Sequence, residues 1–208
     1  MARHDALTLA GVIERGAAEK PDLVVLTVEG AGVRPDEVRT YRDLWHNGQA
    51  LAAGLQARGL RHGDRLGSLL ANHAEFVDLM IACALLGAVL VPIDPRTRGD
   101  KLVYMLDSVG CQGVVAADYA LGELLRVRNQ LPRLAWLAVL PTDEGRAHDS
   151  LPDSSDVLWY GALPVHGADS NTLPGCQPDD ALELIYTSGT TGDPKGIVMT
   201  HRRYVATA

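Results

Sequence analysis

The feature that most constrains the fold is a repeated alternation of short apolar strands and helical segments between residues 41 and 140. Strand patterns occur at residues 66–70, 89–93, 113–117 and 134–140. Helical patterns occur at residues 41–58, 73–86, 99–109 and 121–131. Strands separated by helical segments of this length are typical of right-handed βαβ crossovers. The sequence therefore predicts an α/β fold with mostly parallel sheets and flanking helices.

Two of the predicted helices differ in how they should pack. Residues 41–58 place apolar side chains such as Leu44, Leu51 and Leu55 at helical spacing, with polar side chains elsewhere around the helix. Residues 73–86 are apolar on nearly every side after Asp78, which predicts a buried helix.

Three regions are predicted along the chain. Residues 1–140 form an α/β N-terminal subdomain. The periodicity is lost at residues 141–180, which contain five of the 11 prolines, and we expect an irregular loop or linker there with one short strand near residues 157–160. Residues 181–208 should begin a next subdomain. We expect this subdomain to be truncated, because no Gly or Asn cap follows the helical stretch at 201–208.

Composition excludes several classes of function. The 208 residues carry a net charge of -7, which argues against a nucleic-acid partner. Cys83, Cys111 and Cys176 form neither a disulfide framework nor a zinc motif, and they suit a reducing cytoplasm. The longest uncharged apolar run, residues 79–91, is too short to span a membrane. We therefore expect a cytoplasmic protein with no membrane span, and the histidine spacing predicts no metal site.

A predicted strand at residues 182–186 is followed by a segment rich in glycine and hydroxyl groups. Its order is Thr187, Ser188, Gly189, Thr190, Thr191, Gly192, Asp193, Pro194, Lys195 and Gly196, and an apolar triplet at 197–199 follows. Glycines allow consecutive backbone N–H groups to turn toward one anion, and the hydroxyls and the ammonium add donors around it. The segment therefore meets the requirements of a loop that binds a polyphosphate.

The common P-loop of NTPases does not fit this segment. That motif needs a lysine directly after glycine, a hydroxyl residue next and then a helix. Here Lys195 lies between Pro194 and Gly196, and a strand pattern follows. The predicted arrangement is strand, loop, strand.

Residues 186–196, continued through Thr200, His201 and Arg202, closely resemble the phosphate loop of the adenylate-forming superfamily. This superfamily includes acyl-CoA synthetases, luciferases and the adenylation domains of peptide synthetases. Upstream segments resemble the N-terminal half of the same family. They are residues 63–65, Asn72 with Glu75 and Phe76, and residues 86–95, 102–106 and 113–118. Apart from residues 141–180, the resemblance covers most of the chain from about Tyr41 onward.

The resemblance implies an AMP-forming acyl-CoA synthetase whose substrates are ATP, a small-molecule carboxylate and CoA, with Mg²⁺. The residues it assigns to ATP are Thr187, Ser188, Gly189, Thr190, Thr191, Gly192 and Lys195. It also places His201 near the acyl or nucleotide site, although Arg203 replaces the asparagine often found two positions after that histidine. The family's adenine pocket, magnesium ligand and catalytic lysine lie further along the chain. We therefore assign no catalytic residue and no metal ligand here, and we expect the chain alone to be inactive.

Two other hypotheses stay open from the sequence. The chain could be a non-catalytic fragment or interaction module that associates with a partner or with itself through exposed sheet edges. The parent protein could instead be a peptide-synthetase adenylation domain that activates an amino acid. The residues that separate these hypotheses lie outside the motifs above.

Overall fold

A seven-stranded sheet lies at the centre of the described structure. The computed structural model describes residues 4–30, 35–142, 150–167, 173–187 and 194–207. The helices in these ranges are α1 (Leu9–Glu19), α2 (Tyr41–Ala57), α3 (Ala74–Leu86), α4 (Gly99–Asp107), α5 (Asp118–Val127) and α6 (His201–Thr207). The strands are β1 (Val24–Val28), β2 (Glu37–Thr40), β3 (Arg65–Leu69), β4 (Val89–Pro92), β5 (Cys111–Ala117), β6 (Trp136–Leu140), β7 (Val157–Trp159), β8 (Ala181–Thr187) and β9 (Lys195–Thr200).

The strand order of the main sheet is β7-β6-β5-β3-β4-β8-β9. Every neighbouring pair from β7 to β8 is parallel, whereas β9 runs antiparallel to β8. The chain places β4 on one side of β3 and then crosses to place β5 on the other side, which creates a topological switch point at the carboxyl ends of β3 and β5. β1 and β2 form a separate antiparallel pair. The predicted α/β class with a mostly parallel sheet is confirmed.

Helices cover both faces of this sheet. One apolar cluster joins residues of α1, α2 and α3 to the sheet, and a second joins residues of α4 and α5 to it. Along β5, Val115 and Ala117 belong to the first cluster, and Val114 and Ala116 belong to the second. Because successive side chains of a strand point to opposite faces, both faces of β5 must be apolar.

Helix α3 is buried, as its sequence predicts. Most of its 13 residues are buried, and His73 precedes it at the N-cap position. Gly87 ends the helix with a positive φ of 73°, a conformation that costs glycine little. Across the described ranges, no helix combines the length and the apolar character needed to cross a membrane.

The strands and helices predicted between residues 41 and 140 are confirmed with shifts of a few residues. The largest shift concerns the helix predicted at 121–131, which starts at Asp118 and ends at Val127, with a 3₁₀ turn at Arg128–Gln130. Buried Asp118 accepts hydrogen bonds from the backbone N–H of Thr142, at 3.2 Å, and from its hydroxyl, at 2.7 Å. This contact joins the start of α5 to the residue pair that follows β6. The periodicity of neighbouring residues cannot predict it, because Asp118 and Thr142 are 24 residues apart in the chain.

Three N-terminal elements were not predicted from the sequence. Helix α1 is capped by the Thr8 hydroxyl, which accepts a hydrogen bond from the Gly11 N–H at 3.1 Å. Its glycines and alanines weaken the helical pattern of apolar residues. Strand β1 is mostly exposed and β2 is mostly half-buried, and with five and four residues neither shows a clear alternation of buried and exposed positions.

The described parts of residues 141–180 pack on the helices, and they include the short strand β7 near the predicted position. The N–H of Val165 donates to the carbonyl of Ala50 in α2 at 2.9 Å, and the N–H of Gly175 donates to Leu85 in α3 at 3.0 Å. Strands β8 and β9 extend the same sheet as β4. The division into subdomains at residues 140 and 181 stays a prediction.

We expect Gly54→Ala to destabilise the fold strongly. A Cβ atom at this α2 position would lie 1.7 Å from the carbonyl oxygen of Leu163. Either α2 or the segment around Leu163 must therefore move. The expected loss in the free energy of unfolding is about 2 kcal/mol or more. Chemical denaturation measures it. The matched control is Gly122→Ala in α5, where nothing lies within 4 Å of the added atom; it should gain up to about 1 kcal/mol from helix propensity. Equal effects of the two substitutions would contradict the packing described here.

Candidate functional site

The glycine-rich segment leaves the sheet at its carboxyl edge. Strand β8 is parallel to β4, with Leu90 paired with Glu183, so β8 ends at Thr187 on the edge where the other parallel strands end. In open α/β sheets, ligands bind outside this edge at a topological switch point, and here the switch point lies between β3 and β5, two strands from β8. The segment therefore leaves the sheet at the edge where ligands bind, beside the switch point and not at it.

The structure describes two of the seven residues predicted to bind phosphate. Thr187 and Lys195 face each other as the last pair of the β8–β9 ladder. The Thr187 hydroxyl lies 3.5 Å from the carbonyl oxygen of Lys195, a weak hydrogen bond, and both residues are exposed. Predicted residues Ser188, Gly189, Thr190, Thr191 and Gly192 lie outside the described residues. The two ends of the loop thus come together in a position open to solvent.

Lys195 is the first residue of strand β9, so the predicted strands on both sides of the segment are confirmed, and β9 begins two residues before the predicted apolar triplet at 197–199. In the NTPase P-loop, the lysine lies at the start of a helix. Because Lys195 begins strand β9 and not a helix, this segment is not a P-loop of the NTPase kind.

Tyr186, next to the loop, fixes the end of β8 against α4. Its hydroxyl donates to the carbonyl of Met105 at 3.0 Å and lies 2.7 Å from the hydroxyl oxygen of Ser108. Burial raises the pKa of Tyr186, which keeps its hydroxyl protonated and able to donate. The sequence analysis missed this role, because Met105 and Ser108 are about 80 residues away in the chain.

The loop after β4 brings two guanidinium groups to the same carboxyl edge. Arg96 pairs with Asp94 at 2.7 Å, and its hydrogen bonds lower the pKa of Asp94 to about 2. Arg98 donates to the carbonyls of Pro95 and Thr97. Because β4 is the neighbour of β8, this loop and the glycine-rich segment leave adjacent strands at the same edge. The charge of Arg96 is balanced by Asp94, so Arg98 supplies the net positive charge of the loop. Sequence reasoning did not single them out, since only the strand order places the two loops on adjacent strands.

His201, which the resemblance places near the acyl or nucleotide site, lies far from Lys195, and that expectation stays a prediction. It follows β9 at the end opposite to Lys195, about 20 Å along the strand. The side chain is fully buried, and Nδ1 accepts a 3.4 Å hydrogen bond from the N–H of Leu9 in α1. Burial lowers the pKa of His201 to about 4, so the imidazole is neutral at physiological pH. In this structure His201 joins the start of α6 to α1.

Other reactive side chains are absent from the described part of this site. Cys83, Cys111 and Cys176 are buried, and burial raises the thiol pKa of Cys111 and Cys176 to about 12, so they are poor nucleophiles. The described residues contain no group of three or more His, Cys, Asp or Glu placed to hold a metal ion. What the described geometry offers an anion is the exposed ammonium of Lys195 beside the exposed hydroxyl of Thr187.

Comparison with known proteins gives a family match over nearly the whole chain. Residues 13–208 match the family described as AMP-binding enzyme. The chain is 30% identical over 180 residues to 4-coumarate–CoA ligase 4 of Arabidopsis thaliana, and the match covers 86% of this chain and 30% of that protein. It is 28% identical over 207 residues to the medium-chain fatty-acid–CoA ligase of Escherichia coli (strain K12), with 96% of this chain and 34% of that protein covered. The chain thus spans about a third of the length of these curated relatives.

Solved structures agree with the family match. The fatty acyl CoA synthetase of Mycobacterium tuberculosis superposes with a TM-score of 0.70 and 26% identity, covering 94% of this chain and 35% of that chain. The acetoacetyl-CoA synthetase of Streptomyces lividans superposes with a TM-score of 0.81 over 94% of this chain and 30% of that chain. At 24% identity, the second similarity shows the fold alone.

His201 should make the stability of the chain depend on pH. Its pKa is about 4 in the fold and 6.5 when unperturbed, so the unfolded state takes up a proton first as the pH falls. The contribution is fully present above pH 6.5 and is lost as the pH falls to about 4, a change of about 3 kcal/mol. Urea denaturation at a series of pH values measures it. In His201→Asn, whose side-chain oxygen can still accept from Leu9, the free energy of unfolding should fall less steeply over this window. The same slope in both proteins would contradict a buried neutral imidazole.

Proposed function

The chain belongs to the AMP-binding enzyme family, and from that membership we propose that it is part of an AMP-forming acyl-CoA synthetase. Such an enzyme activates a carboxylic acid with ATP and transfers the acyl group to coenzyme A. The observation that carries the proposal is the exposed Thr187–Lys195 pair, which closes the base of the glycine-rich loop at the carboxyl edge of the sheet. The two curated relatives described above are CoA ligases, which supports this reaction class.

The proposed role of the loop is to bind the β- and γ-phosphates of ATP. Donors would come from the N–H groups and hydroxyls at residues 187–192 and from the ammonium of Lys195. The substrate carboxylate attacks the α-phosphorus, the bond to the bridging oxygen breaks, and pyrophosphate leaves with the negative charge. Positioning and electrostatic stabilisation dominate this type of phosphate chemistry. Lys195 therefore acts as a charge donor and takes no proton.

Several observations fit ATP at this place. The ends of the loop are exposed, Lys195 is at its base, and Arg96 and Arg98 lie on the loop after the neighbouring strand β4. Tyr186 holds the end of β8 on α4, which limits movement of the loop base. Mg²⁺, CoA as the acceptor, and a cytoplasmic location belong to the same proposal, and they rest on the family resemblance.

The central test is nucleotide binding by isothermal calorimetry with Mg²⁺ present. Lys195→Ala should weaken ATP binding by about tenfold, since a partly solvated charge pair contributes about 1 to 2 kcal/mol after screening. The matched control is Lys20→Ala, which removes an exposed lysine just after α1 and should leave the affinity unchanged. Added salt should reduce the difference between wild type and Lys195→Ala. Equal ATP affinity in all three proteins would overturn the assignment of the loop.

The same proteins test whether the chain acts alone. Because the chain spans about a third of its relatives, we expect it to bind ATP without turnover. Pyrophosphate release from ATP in the presence of fatty or aryl acids measures this directly. Release above the rate of a protein-free blank, and lost in Lys195→Ala, would contradict the expected inactivity.

A second candidate function is an interaction module, and exposure of strand β9 favours it. Ile197 and Val198 are 50% and 49% exposed on this edge strand, and exposed apolar edge strands favour pairing with another chain. If the chain self-associates through β9, light scattering should show dimers that Val198→Lys abolishes, while Val165→Lys at another exposed position has no effect. A monomer at all concentrations would exclude self-association as the function.

A further inference from the structure

Two arginines converge at the amino edge of the sheet, opposite to the edge from which the glycine-rich segment leaves. Arg65 is the first residue of β3, and Arg133 lies three residues before the start of β6. Strand β5 lies between these two strands. The length of the parallel strands, roughly 15 Å, therefore separates the two guanidinium groups from Thr187 and Lys195.

Gly110 lies directly beside both side chains. A Cβ atom at this position would be 2.7 Å from Nη1 of Arg133 and 3.2 Å from Nη2 of Arg65, so these two nitrogens are within about 6 Å of each other. Gly110 has a positive φ of 65°, a conformation that favours glycine. A side chain here would fill the space between the two guanidinium groups, so the glycine is what lets them approach a common point.

Neither guanidinium group is neutralised within the described ranges. Nε of Arg65 donates to the carbonyl of Val109, and Nη1 donates to the carbonyl of Gly63 at 3.0 Å, which leaves Nη2 on the side of Arg133. Arg133 makes no ion pair and no side-chain hydrogen bond with any part of the chain that the structure describes. The arginines that do form ion pairs there are Arg39, Arg42, Arg96, Arg126, Arg128 and Arg202.

Two positive charges held this close to each other call for an anion. Asp64 precedes Arg65 and Asp107 lies near Gly110 in the chain, but neither carboxylate forms an ion pair with the two arginines in the described structure. The Asp64 carboxylate instead accepts the N–H of Arg61 at 2.8 Å. The repulsion between the two guanidinium groups is therefore not offset by the described residues.

The donors indicate which anion fits. A guanidinium group offers only N–H donors, and its planar fork matches the oxygens of phosphate. Charge-assisted N–H···O distances are about 2.7 to 2.9 Å, so a single oxyanion placed between the two nitrogens can accept from both. A dianion also matches the two positive charges, whereas a carboxylate balances only one of them.

We propose that Arg65 and Arg133 form a binding site for a phosphate dianion, either the free ion or the phosphate group of a small soluble monoester, beside Gly110. Two backbone carbonyls hold Arg65 in place, and Arg133 contributes the exposed side of the site. The site lies at the opposite edge of the sheet from the loop proposed to bind ATP, so it is a second phosphate site.

The test uses inorganic phosphate and methyl phosphate as probes, titrated without nucleotide at slightly alkaline pH, where both are mostly dianionic. NMR of the arginine Nε–Hε groups in the isotope-labelled chain follows binding, and sodium chloride at the same ionic strength corrects for screening. We expect saturable shifts of the Arg65 and Arg133 signals. Tighter binding of methyl phosphate would identify a monoester as the ligand, and tighter binding of inorganic phosphate would identify the free ion.

Arg133→Gln should weaken phosphate binding by about tenfold, because it removes one of the two charged donors. Arg15→Gln is the matched control, since it makes the same change at an exposed arginine of α1, and it should bind as wild type does. Circular dichroism shows whether each variant is folded. Arg133→Gln keeps the test decisive if Arg65→Gln unfolds, since only Arg65 bonds to backbone carbonyls.

No saturable shift in the wild type, or equal affinity in the wild type and Arg133→Gln, would overturn the proposal. The signals report on Arg65 and Arg133 themselves. Either result is therefore independent of whether the glycine-rich loop binds ATP.

Discussion

A parallel strand must be covered on both faces, and this constraint determines most of the structure. β3, β5 and β6 carry apolar residues toward both sides of the sheet, so helices are needed above and below it. Helices α1, α2 and α3 cover one face, and α4 and α5 cover the other. Because the strands are parallel, their carboxyl ends lie along one edge of the sheet, and the candidate site is at that edge.

The base of the site is held by contacts that are distant in sequence. Thr187 and Lys195 end an antiparallel ladder, and Tyr186 connects that ladder to α4 through the carbonyl of Met105. These contacts position the backbone at both ends of the glycine-rich segment.

Buried polar groups lie elsewhere in the molecule and have opposite effects on stability. Burial lowers the pKa of His201 to about 4 and raises that of Asp78 to about 6. Protonation of the unfolded histidine lowers stability as the pH falls, whereas ionisation of Asp78 lowers stability as the pH rises. Over the mildly acidic range, the two contributions partly offset each other. His201 uses its ring nitrogen to join α1 and α6, whereas one oxygen of Asp78 has no hydrogen-bond partner in the part of the chain that the structure describes.

The sequence by itself determined the α/β class, the elements between residues 41 and 140, the buried character of α3 and the position of the glycine-rich loop between two strands. These features are readable because apolar periodicity and turn residues act over a few neighbouring positions. Only the tertiary structure decided the contacts of Tyr186 with Met105, of Asp118 with Thr142 and of Gly54 with Leu163. It also decided that β8 lies beside β4, which places the loop after β4 next to the site. These pairs are separated by tens of residues, and they form only when the sheet order brings the elements together, so no local pattern encodes them.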